Sequence, residues 1–178
     1  MKLRFTATHA RCAGMTLIEL SVATFLGSLI LMVAGALSVY GARSVLAMNN
    51  YAELEQRSRN TLDILTRDIR QAKDLNSFAT NQIVLNNLDS TTCTYTFSPS
   101  LGTLTRVKGG LSSVLLSDCD SLTFSVYQRS PSNNFTFYPA TSNSTAKLID
   151  VNWKCSKMIR GQKVNTESIQ TAKIVIRN

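Results

Sequence analysis

Between a glutamate at position 19 and an arginine at position 43 the chain carries 23 consecutive residues without a charge, 20–42, rich in Leu, Val, Ala and Phe. A run of this kind has few places to go: about 20 apolar residues suffice to cross a bilayer as a helix. Glu19 stands at its start, where an ionised carboxylate costs about 2.5–3.5 kcal/mol on insertion scales. A carboxylate kept there needs a partner. Upstream, residues 1–14 contain Lys2, Arg4 and Arg11 and no acid, a pattern that the positive-inside rule keeps in the cytoplasm. If the chain is cut after Gly14, the new α-amine of Met15 lies four residues from Glu19 on the same helix face and supplies a cation at similar depth.

No proline precedes Pro99, so one helix is expected from Met15 to about Leu75. At 1.5 Å per residue those residues span roughly 90 Å, about three times the apolar thickness of a bilayer, and the second half must stand outside it. There the pattern turns amphipathic, with Leu62, Leu65, Ile69 and Ala72 at three- and four-residue steps and Arg59, Asp63, Arg67, Asp68 and Arg70 among them. This half is expected to turn one face to a core and its charges to water. Asn76-Ser77 supplies stop chemistry. Gly27, Gly35 and Gly41 interrupt the apolar half, where small residues permit close helix contact.

Beyond residue 82 the period becomes that of strands. Segments 82–85, 92–97 and 103–107 are short and rich in β-branched or aromatic residues, with Asn86-Asn87, Pro99-Ser100 and Gly109-Gly110 between or after them. Residues 122–127 and 148–155 alternate as half-buried strands do, and 170–176 forms a last strand. Residues 129–146, with two prolines and many Ser, Thr and Asn, read as a surface loop. The fold expected is α+β: a long helix, first membrane-spanning and then amphipathic, against a mostly antiparallel sheet of six or seven strands. Its parts are a leader at 1–14, a transmembrane helix at 15–42, an amphipathic continuation at 43–75 and a β-rich head at 76–178.

The basic leader, Gly14, the run Met15-Thr16-Leu17-Ile18-Glu19-Leu20 and the apolar stretch after it resemble the prepilin signature of type IV pilins and type II secretion pseudopilins. The resemblance covers residues 11–40 and implies a long helix with a pilin-like head. It implies cleavage by a prepilin peptidase between Gly14 and Met15, N-methylation of Met15, and Glu19 as the assembly carboxylate; Met15 stands where the family most often has Phe. Residues 59–72 further resemble the helix of J-type minor pseudopilins and W-type minor pilins. The implied function is that of a minor pseudopilin at the tip of a type II secretion pseudopilus, with other minor and major pseudopilins and an inner-membrane assembly platform as partners. Its place would be the bacterial inner membrane, with the head in the periplasm. A minor type IV pilin in adhesion, motility or DNA uptake is the alternative in the same machinery. An exported ligand-binding or enzymatic domain on a simple anchor is the rival of another class. A conventional signal peptide has a shorter apolar core, cut after rather than before it, and a plain anchor leaves Gly14 and Glu19 unexplained.

Composition narrows the chemistry. The single histidine, His9, lies in the leader, so after cleavage no imidazole is left for a catalytic pair or a zinc site. Gly109-Gly110 is followed by Leu111 and forms no phosphate loop. No catalytic residue, cofactor or metal is therefore assigned, and the chain is expected not to be an enzyme. Asp118, Asp120 and Asp150 suggest calcium only weakly, since a complete ligand loop is missing. Removing Lys2, Arg4 and Arg11 leaves 16 basic residues (19 − 3) against 11 acidic, a net charge of +5. Seven basic residues follow position 146, namely Lys147, Lys154, Lys157, Arg160, Lys163, Lys173 and Arg177, with only Trp153 as a stacking aromatic nearby, so nucleic acid is not an expected partner. The sequons at Asn134 and Asn143 are incidental in a bacterial setting. Three cysteines follow the span. Antiparallel pairing of 122–127 with 148–155 would join Cys119 to Cys155 and leave Cys93 free, with Cys93–Cys119 as the other possibility.

Overall fold

The computed structural model describes residues 15–132, 136–159 and 167–176. Helix α1 runs from Leu17 to Gln71 without a break. The chain divides into two compact units, Met1–Arg43 and Ser44–Asn178. In the first, the described residues are helix after Thr16, and the large apolar side chains, from Met15 and Leu17 through Phe25 and Leu31 to Tyr40, are exposed. The helix is long and apolar enough to cross a membrane. A helix apolar on every side requires lipid or other helices around it. Nothing within 4 Å would meet a Cβ at Gly27, Gly35 or Gly41.

The second unit is the head. Here α1 buries Leu54, Ser58, Thr61, Leu65, Asp68 and Ile69, a stripe advancing by three and four residues as a helix face does. Leu65, Ile69 and Ala72 are buried as the periodicity predicts, but Leu62 is only partly so. Asp68, expected among the solvated charges, is instead inside, 1 % exposed.

The helix also ends earlier than expected, at Gln71, and residues up to Leu75 belong to strand β1, Ala72–Ala79. The cause is two irregularities in the pairing of β1 with β2, Gln82–Asn87, between Ala72 and Asp74 and between Leu75 and Ser77. Each bulge adds a residue, so Ala72, Leu75 and Phe78 turn inward at steps of three rather than two, imitating a helical period.

From β1 the chain meanders through β2, β3 (Thr92–Ser98), β4 (Thr103–Lys108) and β5 (Leu111–Leu116), forming a five-stranded antiparallel sheet in that order. A second antiparallel sheet has the order β7-β6-β8-β9, from β6 (Cys119–Arg129), β7 (Phe137–Pro139), β8 (Ala146–Ser156) and β9 (Glu167–Val175). The architecture is thus α+β, with two sheets and nine strands among the described residues where one sheet of six or seven was expected. The segment 129–146 is not all loop, since it holds β7 and a 3₁₀ turn at Asn143–Thr145. Strand β7 is three residues long, exposed and closed by Pro139 at a sheet edge, a place that tolerates proline but leaves little pattern to read.

One apolar cluster joins Leu65 and Ile69 of α1 to Ile83, Tyr95 and Leu104 of the first sheet and to Phe124, Ile149 and Trp153 of the second. The sheets are also stitched by backbone. Phe124 N–H donates to Thr80 O at 2.8 Å, and Cys119 N–H to Gly102 O at 2.9 Å. At Gly102 φ is +60°, and a Cβ there would lie 2.9 Å from Cys119 O. Glycine is required at that crossing both for its backbone and for its missing side chain.

Candidate functional site

The N-terminal turn of α1 carries the residues singled out by the sequence. Gly14 lies outside the described residues; Met15 is exposed just before the helix. Glu19 sits in the first turn, and its Oε2 accepts the N–H of Thr16 at 2.9 Å and the Thr16 hydroxyl at 3.0 Å. In return Glu19 N–H donates to Thr16 Oγ at 3.3 Å. This is a reciprocal capping box, which satisfies donors that the first turn cannot pair internally. Thr16 escaped the sequence reading, although Thr-x-x-Glu before an apolar run is the signal for it. The box gives the Glu19 carboxylate two donors on Oε2, and among the described residues nothing donates to Oε1. That oxygen remains available to a further cation.

A second constellation lies inside the head. The Asp68 carboxylate receives the Tyr95 hydroxyl at 2.6 Å and Arg106 Nε at 2.7 Å on Oδ2, and Lys108 Nζ at 3.2 Å on Oδ1. The Cys93 thiol points to Oδ2 at 3.5 Å. These partners come from two rows of one hairpin, Cys93 opposite Lys108 and Tyr95 opposite Arg106, separated by the Thr94–Val107 row and so on the same face. Burial pushes the Asp68 carboxyl up, but the bonds from Arg106, Tyr95 and Lys108 outweigh it and hold the group at about 2. The same bond holds the Arg106 guanidinium more firmly protonated. Burial, followed by the neighbouring carboxylate, pushes Tyr95 and Cys93 upward. A buried thiol held protonated is the reverse of a nucleophile, and the chemistry of this cluster is that of a rivet between α1 and the sheet.

Further polar ties run along the same helix face. Trp153 Nε1–H donates to Ser58 Oγ at 3.2 Å, Thr61 hydroxyl to Leu115 O at 3.2 Å, and Gln170 amide to Glu55 at 3.1 Å. Lys157 pairs with Glu53. Both sheets therefore grip the helix through polar groups as well as apolar ones.

Cys119 and Cys155 face each other in the β6–β8 register and form a disulfide, while Cys93 is free and buried. Asp118 and Asp120 both lie beside Ser156: its N–H donates to Asp118 O at 2.8 Å and its hydroxyl to Asp120 at 2.5 Å. Among the described residues no three His, Cys, Asp or Glu side chains gather to hold a metal ion. Of the basic residues after position 146, Lys154 pairs with Glu167 at 2.9 Å, and Arg160, Lys163 and Arg177 lie outside the described residues, as does Asn134. Asn143 donates its amide to Asn76 O within the head. No protein-family model, curated protein or solved structure matches this chain.

Proposed function

We propose that the chain is a minor pseudopilin, a structural and non-catalytic subunit of a type II secretion pseudopilus. The observation that carries this reading is the first half of α1. It is apolar on every side, unburied, and headed by a carboxylate held in its first turn. Such a helix gains by packing among sister helices or lipid, and nothing in its composition offers a surface for water. After prepilin peptidase cuts between Gly14 and Met15, the methylated Met15 amine of a neighbouring subunit becomes the cation that Glu19 Oε1 can take. The membrane then holds the subunit by residues 15–42, and the head stands in the periplasm until the assembly platform moves it into the filament beside other minor and major pseudopilins.

Mass spectrometry of the membrane-extracted protein tests the first step. Loss of residues 1–14 with one added methyl group is expected, and an intact leader in cells with active peptidase would contradict the reading. Recovery of the processed chain with a secretion pseudopilus is expected for the second step, and recovery with a type IV pilus would move it to the minor pilins.

A further inference from the structure

The sheet β7-β6-β8-β9 turns Val126, Ile149 and Ile174 to the core, so their neighbours along each strand point outward. On that outer face Tyr127, Leu148 and Val175 form one row across β6, β8 and β9, and Ser125, Asp150 and Lys173 form the next. At the sheet edge β7 adds Phe137, opposite Arg129, whose guanidinium lies 5.9 Å from the ring centroid. Tyr127, Phe137, Leu148, Lys173 and Val175 line a hollow of about 500 Å³, within the roughly 300–1,000 Å³ of small-molecule sites. Its floor is Leu148, only 7 % exposed although it faces away from the core.

Two polar groups of the second row do not take the partner that their register offers. Asp150 faces Lys173 directly, and opposite charges so placed attract. The lysine lines the hollow instead. Among the described residues no ion pair joins the two, and Asp150 Oδ1 is buried with no hydrogen-bond partner. A buried carboxylate oxygen left this way costs free energy and calls for a donor. We propose that the hollow is a binding site for a neutral mono- or disaccharide, its ring face on Tyr127 and Phe137 above Leu148 and its hydroxyls on Asp150 and Lys173.

The chemistry of the lining selects this class. A carboxylate asks for a donor, an ammonium for an acceptor, and a hydroxyl is both. The two groups stand one row from an apolar, partly aromatic surface, and a pyranose sets its hydroxyls around a flat face of C–H groups that packs on aromatic rings. Charge favours a neutral ligand, since an anion drawn to Lys173 would meet Asp150 and a cation drawn to Asp150 would meet Lys173. Ser125 and Lys173, which flank Asp150, are both exposed and are the side chains that yield to admit a hydroxyl to it. Arg129 at the far rim stacks on Phe137 and braces that ring. The inference rests on the head alone and is independent of any role in a filament.

The test is saturation-transfer difference NMR on the full chain in lipid nanodiscs, which avoid alkyl-glycoside detergents that would compete. Maltose, cellobiose and N,N′-diacetylchitobiose are offered in turn at millimolar concentration, with octanoate as an anionic apolar probe. At least one disaccharide should receive saturation, strongest at the C–H protons of one ring face. Lys173→Met removes the ammonium at an exposed position and keeps the stem, and Phe137→Leu removes the aromatic ring. Each should lower the signal several-fold, whereas Thr171→Val, on the same face outside the hollow, should leave it unchanged. Thermal unfolding followed by circular dichroism establishes that the variants are folded; where Phe137→Leu is not, Lys173→Met is read alone. Absence of transfer to all three sugars, transfer that persists in folded Lys173→Met, an equal loss in Thr171→Val, or stronger transfer to octanoate than to any sugar would each overturn the proposal.

Discussion

Asp68, buried in the head, and Glu19, at the head of an apolar run, are both carboxylates held by donors that decide what each can do. For Asp68 the donors are charged. Replacing it with Ala leaves Arg106 and Lys108 without their buried anion and should destabilise the head by about 3–5 kcal/mol in urea unfolding. Its acid dependence has a definite sign. The folded carboxyl titrates at about 2, below its ordinary 3.8, so as pH falls the unfolded chain takes up the proton first. The contribution, about 2 kcal/mol, is fully present above roughly pH 4 and lost as pH approaches 2. Asp68→Asn should remove that part of the pH dependence while wild type keeps it. For Glu19 the question is whether charge or capping matters. Gln serves in a capping box as Glu does, so Glu19→Gln should keep the first turn yet enter filaments as poorly as Glu19→Ala in a filament pull-down. Normal assembly of the Gln variant would assign Glu19 to capping alone. Sequence made Glu19 conspicuous because an acid borders an apolar run. It concealed Asp68, whose cations arrive from 38 and 40 residues downstream with no local sign of the pairing.

Among the elements, those whose alternation runs unbroken through the middle of the strand were legible, and β1, whose bulges fall within it, was not. Strands β6 and β8 alternate cleanly over Leu122, Phe124 and Val126 and over Ile149, Val151 and Trp153, and their antiparallel pairing is what brings Cys119 and Cys155 together. Residues 72–75 of β1 read as the end of the helix because the two bulges give a three-residue step, and β5 is hidden because Ser112-Ser113 breaks the alternation. The Cys119–Cys155 bridge spans 36 residues, a loop for which the chain-entropy model gives about 3–4 kcal/mol. A Cys119→Ser, Cys155→Ser double variant should lose up to that amount by thermal unfolding. Gly102 guards the same junction from the other sheet. Gly102→Ala, with φ at +60° and a Cβ driven to 2.9 Å from Cys119 O, should cost about 1–3 kcal/mol, whereas Gly27→Ala, which meets nothing, should not weaken the head.

At the scale of the whole molecule the chain holds two solutions to the burial of apolar surface. The head buries its own: Leu65, Ile69, Tyr95, Leu104, Ile149 and Trp153 close one cluster between a helix and two sheets. The first half of α1 buries none and leaves that to its surroundings. Composition made this contrast readable, since one half lacks charge and the other alternates. The division of strands between two sheets was not readable, because it depends on pairings between distant segments that no local pattern encodes. The physical consequence is separability. Ser44–Asn178 is a compact unit that keeps the core, the Asp68 rivet and the disulfide, and it omits the uncharged apolar run of α1. Produced alone by export to an oxidising compartment, it should be soluble, carry the Cys119–Cys155 bridge and unfold in one cooperative transition. The full chain should remain in the membrane fraction after high-salt washing and leave it only with detergent. A fragment that aggregates, or whose unfolding loses cooperativity, would mean that the head draws stability from residues before Ser44. Release of the full chain by salt would mean that the apolar helix is not what holds it.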